Sequence, residues 1–410
     1  MKEAVHNIIC FAKENVPFYS NLYKDINVAN MNLQIESIPT VDKKAIQANG
    51  KECLATRYKQ YKYQEKLILR RTSGTSGEYL KIFWDRQNEN NSHIELWNLR
   101  RQYYGIMPQD KFCYFYTTVY KGNHLVIDDN ESYICTKTSL GISKKCLTFE
   151  FLQEIYQKIY DFDPKWMQIQ PSVMHILLNY IIKNQLPVFK NLKYVEFTGE
   201  VLLNTLEDNT KSTIGCKIGN LYGSIETNAI AFRNPDKQLV CLESNVHTEI
   251  LKNNPEDVYG EIVVTSLTNY AMPFIRYRIG DKGKIVFHKG RKQYSEIILE
   301  KGRSAEKIVT KEGELPCYLF LKPIEFINEQ HGAVIQQFQV VQKEIDKFSV
   351  KFVLDSRYKG WESEIKKKFL DYLDNDYLKQ CGYEFQCVDY ILLNHNGKAN
   401  FFINEMREEG

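Results

Sequence analysis

The sequence predicts an α/β fold: a large N-terminal domain of α/β-layered subdomains with a β-rich subdomain, followed by a small C-terminal α+β domain. Three observations predict it. Strand-like runs alternate with helical patterns through the first half, and shorter strands joined by turns follow from about Glu243. After Gly302-Arg303, strand and helix patterns alternate again over roughly a hundred residues, the size of a small domain. We therefore expect domains at residues 1–302 and 303–410.

Helices are predicted where apolar residues recur at helical spacing. The first lies within Glu3–Lys24 and is expected to stop before Pro17, because proline removes a backbone donor and restricts the preceding residue. Further helices are predicted over residues 93–104, 149–160, 173–183 and 361–373.

Strands are predicted from short runs rich in β-branched and aromatic residues that are bounded by turn signals. They cover residues 66–71, 79–84, 112–118, 166–170, 194–198, 217–221, 248–251, 260–266, 283–288, 337–341, 348–354 and 390–393. Alternation of strands with helices indicates a largely parallel sheet, in which ligands bind in loops at the carboxyl ends of strands.

Composition excludes several classes of function. The net charge of +3 is small and the Lys and Arg residues are spread along the chain, so no nucleic-acid surface is expected. The ten cysteines form no Cys-x-x-Cys pair, residues 1–13 do not read as a signal peptide, and no apolar run is long enough to span a membrane. We expect a cytoplasmic protein with reduced thiols, no membrane insertion and no structural zinc, since Cys241 with His247 supplies too few ligands.

The loop Thr72-Ser73-Gly74-Thr75-Ser76-Gly77 lies between two predicted strands and is typical of a phosphate-binding loop. Its glycines let the backbone approach an anion, and its hydroxyls add donors without adding charge. No Gly-Lys-Ser/Thr closes it and no helix pattern follows at once, so it is not the loop of a P-loop NTPase. Taken alone, such a loop is more often an ordinary surface turn, and its interpretation depends on the loops that follow it along the chain.

Four further loops carry chemistry, and they contain Phe197–Glu200, Asn220–Thr227, Arg276–Asp281 and Asn394–Lys398. Glu226 is an acid that could hold Mg²⁺ on a phosphate, and Asp281 is placed to accept two ribose hydroxyls. Each also has a structural alternative: Glu200 and Glu226 as solvated turn acids, Asp281 as a partner of Arg278, and Lys398 as an exposed lysine.

In this order, the loops resemble the adenylate-forming superfamily of acyl- and aryl-CoA ligases, adenylation domains and luciferases. The nearest branch is that of phenylacetate–CoA ligases and their CapK-like relatives, whose N-terminal signature is similar to Ala12–Tyr19 followed by Ile38–Lys43. The resemblance covers nearly the whole chain. It implies a two-step enzyme that uses ATP and Mg²⁺ to convert a carboxylic acid into an acyl-adenylate with release of pyrophosphate. A thiol, commonly that of CoA, then displaces AMP.

The resemblance also implies residue roles. Lys398, on a mobile C-terminal domain, would bridge the substrate carboxylate and the α-phosphate, and Glu226 would bind Mg²⁺. Arg303 would sit at the domain junction. The residues expected to bind ATP are Thr72, Ser73, Gly74, Thr75, Ser76 and Gly77 at the phosphates, Gly199, Glu200, Tyr222 and Gly223 at adenine, and Asp281 at the ribose.

The acid pocket is expected to be mostly apolar and to involve Tyr116, Tyr120, Phe197, Ser224 and Asn228, which favours an aromatic or apolar acid. Three departures from the family pattern affect the prediction. Where some relatives place Cys and His as a metal site, Ala231–Glu243 offers only Cys241, which predicts no structural zinc. Glu78-Tyr79 replaces the usual Lys-Pro, and Ala305 replaces the polar hinge residue. Transfer to the phosphopantetheine of a carrier protein, or to an amine or a sugar, is therefore an alternative to CoA. A second alternative is a non-catalytic nucleotide-binding protein, and analogy with relatives makes a homodimer an expectation.

Overall fold

The structure, a computed structural model, describes residues 3–60, 67–72, 80–116, 119–121, 124–126, 132–144, 149–289, 293–300, 307–331, 334–358, 360–373, 375–391 and 400–407. The chain divides into two compact units. The first unit lies within Met1–Gln109, Thr118–Asn130 and Gly219–Glu300, and the second within Asp110–Thr117, Glu131–Ile218 and Lys301–Gly410. The predicted domain boundary at residues 302 and 303 lies outside the described residues and stays a prediction.

In the first unit, the N-terminal helix Glu3–Asn15 ends before Pro17, as predicted. Pro17 then occupies the first turn of a second helix, Pro17–Leu22, where its missing N–H costs no hydrogen bond. The fully buried Tyr19 anchors this helix: its hydroxyl donates to the Pro273 carbonyl at 3.0 Å and accepts from the Ile275 amide at 3.2 Å. The N-terminal helices are thus fixed to the segment that precedes a central strand.

The remaining helices of the first unit are Lys43–Ala48, Arg86–Ser92 and Ile94–Leu99, which continues as the π-helical turn Arg100–Tyr104. Leu67–Arg71 pairs antiparallel with Lys81–Asp85, and Val119–Lys121 with His124–Val126. A further run of strands is hydrogen-bonded in the order Val246–Leu251, Gly260–Ser266, Tyr277–His288, Tyr294–Leu299, Leu239–Cys241, Asn228–Arg233 and Lys217–Ser224. Their apolar faces and the N-terminal helices share one core, which includes Trp84 and Phe274.

The second unit contains the predicted parallel sheet. Phe112–Tyr116 pairs in parallel with Ser139–Ser143 and Trp166–Ile169, which pairs in turn with Tyr194–Thr198, while Tyr133–Cys135 adds an antiparallel edge strand. The helices of this layer are Phe149–Phe162, Pro171–Lys183 and Asn204–Ile214. Every second strand residue, such as Met167 and Val195, points into a core shared with these helices.

The C-terminal part of the second unit is a small α+β structure with its own aromatic core. Its sheet has the order Gly382–Cys387, Lys347–Leu354, Ile335–Glu344 and Phe402–Asn404. Its helices are Leu321–His331, Glu362–Asp371 and Asp376–Lys379, and a hairpin pairs Lys307–Thr310 with Gly313–Pro316. The α/β fold class is confirmed, and no described helix is long and apolar enough to cross a membrane.

One strand prediction in this region is wrong. The predicted strand 390–393 is wrong at Tyr390 and Ile391, which lie in no strand, and residues 392 and 393 lie outside the described residues; the chain forms the strand Gly382–Cys387 instead. The ring of Tyr383 stacks on Phe348 with centroids 5.4 Å apart, so the earlier run supplies the side chains that pack on the sheet. The Ile391 amide donates to the Gln337 side chain at 3.2 Å rather than to the backbone of a neighbouring strand.

Candidate active site

The first unit brings together two residues that were predicted to contact the nucleotide. Tyr222 lies near the end of the strand Lys217–Ser224, and Asp281 lies within Tyr277–His288, directly after Gly280 in its left-handed conformation (φ 88°). The Tyr222 hydroxyl donates to Asp281 Oδ2 at 2.8 Å. Both side chains are half-buried, so an aromatic face and a carboxylate are held side by side.

The alternative partner considered for Asp281 was Arg278. The Arg278 guanidinium lies instead 2.6 Å from Glu261 Oε2, to which it donates. A structural ion pair with Arg278 therefore does not account for Asp281.

Gly223 is required by the backbone of the hairpin that it opens. A Cβ atom at this position would collide with the Asn228 carbonyl oxygen, and the pairing of the two strands shifts register between Tyr222 and Gly223. The hairpin thus needs glycine here whether or not a nucleotide binds. The predicted role of Gly223 beside adenine stays a prediction.

Glu226 lies in the turn of the same hairpin and is only 7% exposed, so the alternative of a solvated turn acid is wrong. The Tyr277 hydroxyl donates to Glu226 Oε1 at 3.1 Å. Burial raises the pKa of Glu226 above its usual value, while hydrogen bonds from its own amide, Tyr277 and Ser224, together with the charge of Lys43, partly offset that rise.

The turn that carries Glu226 is held from several sides. The fully buried Asn245 amide donates to the carbonyls of Thr227 at 2.9 Å and Ala229 at 2.6 Å, and Trp84 Nε1 donates to the Ile225 carbonyl at 3.4 Å. Ser224 Oγ lies 3.1 Å from Thr227 Oγ1. These contacts fix where the carboxylate of Glu226 is presented.

Asn228, a predicted acid-pocket residue, follows this turn in the left-handed region (φ 59°), which asparagine tolerates better than most residues. Its side-chain amide donates to Ser92 Oγ at 2.8 Å. The amide therefore ties the hairpin to the helix Arg86–Ser92, and its predicted contact with the acid stays a prediction.

Lys43, the last residue of the N-terminal signature Ile38–Lys43, also lies close to Glu226. The helix Lys43–Ala48 begins at Asp42, whose carboxylate accepts from the Ala45 amide at 2.8 Å. Just before it, Val41 pairs with Tyr277 through a backbone bridge. This pairing brings the Lys43 charge close enough to lower the pKa of Glu226. A lysine directly after a helix N-cap was the one signal available in the sequence.

In the second unit, Gly199 and Glu200 follow the strand Tyr194–Thr198, and Gly199 has the left-handed φ of 80°. Glu200 accepts from the Ser172 amide and from Ser172 Oγ, both at 2.9 Å. It therefore satisfies an otherwise unpaired donor in the first turn of the helix Pro171–Lys183, where a negative charge is also favourable. Glu200 is not merely a solvated acid, and its predicted place beside adenine stays a prediction.

The predicted acid-pocket residues of the second unit separate onto two faces of the parallel sheet. Tyr116 lies at the carboxyl end of its strand on the face opposite Phe115, and its ring centroid is 6.1 Å from that of Tyr114. Phe197 is fully buried in the core that also holds Phe115. Its side chain packs against the helices because alternate residues of a strand point to opposite faces, which corrects the prediction that it lines the pocket beside Tyr116.

Several predicted site residues lie outside the described part of the chain: the loop residues Ser73, Gly74, Thr75, Ser76 and Gly77, the junction residue Arg303, the lysine Lys398 and the side chain of Tyr120. Thr72 is described at the start of the loop. Its Oγ1 accepts from the Leu80 amide at 2.8 Å, and its own amide donates to the Leu80 carbonyl at 3.1 Å. The loop is therefore closed at its base by a strand-like pairing.

The chain matches one family model, one known protein and several solved structures. Residues 319–405 match the model of the family described as the CapK C-terminal domain. Protein CapK of Staphylococcus aureus is 22% identical over 412 residues, which cover 97% of this chain and 87% of that protein.

Among solved structures, 2-hydroxyisobutyryl-CoA ligase in the postadenylation state, in complex with 2-HIB-AMP, is 14% identical with a TM-score of 0.75, over 98% of this chain and 88% of that one. The anthranilate CoA ligase AuaEII in complex with anthranoyl-AMP is also 14% identical, with a TM-score of 0.53 over 82% and 66%. The chain thus has the fold of acyl-CoA ligases that form acyl-AMP, and the predicted resemblance to the adenylate-forming superfamily and its CapK-like branch is confirmed.

Proposed function

We propose that the protein is an AMP-forming acid–thiol ligase of the cytoplasm. It activates a carboxylic acid with ATP as an acyl-adenylate, releases pyrophosphate, and transfers the acyl group to a thiol, most simply that of CoA. The observation that carries the proposal is the pair of carboxylates in the first unit, Asp281 and Glu226, each held by a tyrosine hydroxyl. Burying an acid is costly, so two oriented carboxylates beside aromatic rings point to a ligand rather than to packing.

The nucleotide end of the site rests on Tyr222 and Asp281. A half-buried tyrosine ring offers a face on which adenine stacks, and a carboxylate accepts hydrogen bonds from two adjacent ribose hydroxyls. Because the Tyr222 hydroxyl already orients Asp281, both contacts would form without a large rearrangement of either side chain.

Glu226 fits a role as the Mg²⁺ ligand of a nucleotide. Among the described residues, no three His, Cys, Asp or Glu side chains gather as a complete metal site, so Glu226 would share the ion with phosphate oxygens and water, as Mg²⁺ usually requires. Mg²⁺ bound there would screen the phosphate charge that repels an incoming carboxylate. The Tyr277 hydroxyl would keep the Glu226 carboxylate oriented while the ion is exchanged.

The reacting centre would be completed by three elements that remain proposals from the resemblance. The loop Ser73–Gly77 would donate its amides and hydroxyls to the β- and γ-phosphates. Lys398 would stabilise the negative charge that develops between the acid and the α-phosphate. Arg303 would lie at the junction about which a small C-terminal domain moves between the two half-reactions.

For the acid we propose an aromatic or otherwise apolar body. The sheet face that carries Tyr116 is rich in rings: Phe112 stacks on Tyr114 with centroids 5.3 Å apart and on Trp166 at 4.9 Å. Phe112 and Trp166 begin their strands, whereas Tyr116 ends its strand at the carboxyl edge of the sheet, where ligands bind, and an aromatic ring there favours an apolar ligand.

The proposal is tested by measuring pyrophosphate release from Mg-ATP over a panel of aromatic and aliphatic acids, each with and without CoA. Acid-dependent release that accelerates with CoA is the expected result. Release that ignores CoA would replace CoA by the second candidate acceptor, a carrier-protein phosphopantetheine or an amine or sugar, which the alanine at position 305 favours. No release with any acid, although the protein binds Mg-ATP, would support the non-catalytic alternative.

A further inference from the structure

Arg276 is a buried charged residue for which the nucleotide site gives no role. It directly precedes Tyr277, and its side chain is only 7% exposed. The guanidinium binds Glu249 through two atoms, with Nε 3.2 Å from Oε2 and Nη2 2.9 Å from Oε1. Nη1 donates to the carbonyls of Glu36 at 3.2 Å and Ile38 at 2.5 Å. One side chain therefore joins a strand of the sheet to the N-terminal segment Glu36–Lys43.

The backbone of Arg276 also forms hydrogen bonds that hold the N-terminal segment Glu36–Lys43 against the sheet. Its amide donates to Thr265 Oγ1 at 3.0 Å, and its carbonyl accepts from the Val41 amide at 3.0 Å. The Val41 carbonyl in turn accepts from the Arg278 amide at 2.8 Å, so Val41 is bound on both sides of Tyr277. The N-terminal segment is thereby fixed along the strand at the residue whose hydroxyl binds Glu226.

Stability alone is a poor explanation for this arrangement. Arg276 has a left-handed φ of 47°, a conformation that costs a non-glycine residue about 1–3 kcal/mol. A buried ion pair also costs desolvation, and well-packed apolar residues often stabilise a fold as well or better. Backbone strain and a buried charge pair at one residue are typical of sites where a precise orientation is required.

We propose that Arg276 is a positioning residue for the nucleotide site: with Glu249 it fixes the Glu36–Lys43 segment and the orientation of Tyr277, and through them Glu226. The inference rests on the proposed function. Arg276 and Glu249 do not contact the substrates. They act through Lys43 and Tyr277.

The test is a double-mutant cycle between Arg276→Lys and Tyr277→Phe. Lysine keeps the charge but cannot form the two-atom contact with Glu249, and phenylalanine keeps the buried ring but removes the hydroxyl that binds Glu226. Arg278→Lys is the matched control, because Arg278 lies two residues away, is 43% exposed and pairs with Glu261. Pyrophosphate release, calorimetric affinity for Mg-ATP and unfolding in urea are measured for each protein.

We expect Arg276→Lys to lower kcat on the order of 100-fold, since small misplacements of reacting groups have effects of that size. Arg278→Lys should change kcat by less than about twofold. In the Tyr277→Phe background, Arg276→Lys should cost little further activity, whereas its effect on the free energy of unfolding should be the same in both backgrounds. Equal fold-losses of kcat in both backgrounds would show a purely structural role and overturn the inference.

A second variant keeps the test decisive if Arg276→Lys does not fold. Glu249→Gln leaves Arg276 in place and removes only the charge of its partner, and the same non-additivity with Tyr277→Phe is expected. A wild-type protein that neither binds Mg-ATP nor releases pyrophosphate would count against the proposed function. A wild-type protein that does both, with Glu249→Gln and Arg278→Lys indistinguishable from it, would count against the inference alone.

Discussion

Glu226 and Glu200 look alike in the sequence, since each is an acid close to a glycine at the end of a predicted strand, yet the structure uses them differently. Glu200, in the second unit, is half-buried and gives both oxygens to Ser172 at the start of a helix. Glu226, in the first unit, is buried and accepts from the Tyr277 hydroxyl. Glu200 satisfies an unpaired helix donor, whereas no helix end explains the burial of Glu226. We therefore expect Glu200 to serve the fold and Glu226 to serve a ligand.

The largest effect on activity is expected for a substitution of Lys398, whose proposed role does not depend on Glu200 or Glu226. Lys398→Ala should lower the rate of adenylate formation by about 10²–10³, because it removes the charge that we propose stabilises the reacting centre. A supplied acyl-adenylate should still react with the thiol. Lys343→Ala is the control, since Lys343 is half-exposed and pairs with Glu384 at the surface of the same C-terminal part. Unchanged adenylation in Lys398→Ala would remove the role proposed for this lysine.

The substitution Glu226→Gln tests whether Glu226 binds the metal ion of the nucleotide. The amide keeps the shape of the side chain but loses the charge that Mg²⁺ requires, so use of Mg-ATP should fall on the order of tenfold to 100-fold. Steady-state kinetics over a range of Mg²⁺ concentrations measure it. A large loss of thermal stability would instead make Glu226 a structural residue.

The same variant predicts a pH dependence with a definite sign. Burial raises the pKa of Glu226 in the folded protein, so the folded state favours the protonated acid. Stability from this group is therefore present at low pH and is lost as the pH rises through the folded-state pKa. Relative to wild type, Glu226→Gln should gain free energy of unfolding as the pH rises above about 4, the ordinary range of a Glu carboxyl, and through the raised pKa of Glu226 in the folded protein. Urea unfolding at several pH values measures this difference. If the gain in free energy of unfolding of Glu226→Gln over wild type became smaller as the pH rose, the prediction would be wrong.

The substitution Glu200→Gln tests whether Glu200 stabilises the fold. The glutamine can still accept through one oxygen, but it loses the charge at the helix N-terminus and one of two contacts to Ser172. The free energy of unfolding should fall by about 1 kcal/mol, as for the loss of a helix cap, with KM for ATP nearly unchanged. Ser172→Ala offers an independent check, because it should destabilise the protein through the same contact. A large rise in KM without loss of stability would place Glu200 at the nucleotide instead.

The smallest effect is expected for Tyr222→Phe. The ring remains for stacking, and only the hydroxyl that donates to Asp281 is lost. The affinity for ATP should fall by a few fold, the size of one partly exposed hydrogen bond. Calorimetric titration measures it, and Tyr222→Ala should lose considerably more because the stacking face goes as well. Equal effects of the two substitutions would mean that the ring does not stack on the base.

Much of the fold could be predicted from the sequence because its signals are local. Pro17 marks the end of the first helix, and the spacing of apolar residues gave the helices Phe149–Phe162 and Pro171–Lys183 to within a few residues. Tyr390-Ile391 was misread as the start of a strand because an apolar run does not reveal which segment the sheet accepts. The face of the sheet to which the Phe197 side chain points was not predicted. It depends on which residues of the strand face the helices, and the local sequence does not fix this.

The candidate site was predictable to the extent that its loops keep a fixed order along the chain. Tyr222 and Asp281, 59 residues apart, are hydrogen-bonded to each other. The contacts of Arg276 with Glu36 and Ile38 were not predictable, because they join segments about 240 residues apart and leave no local pattern. The effect of Lys43 on Glu226 was not predictable either, since it depends on the pairing of Val41 with Tyr277.

The most direct test of the account is acid-dependent pyrophosphate release from Mg-ATP, measured side by side for wild type, Glu226→Gln and Glu200→Gln at one pH. The account predicts release by wild type, a loss on the order of tenfold to 100-fold in Glu226→Gln, and a rate within about twofold of wild type in Glu200→Gln. Silence of the wild-type protein with every acid, or equal losses in the two variants, would contradict it.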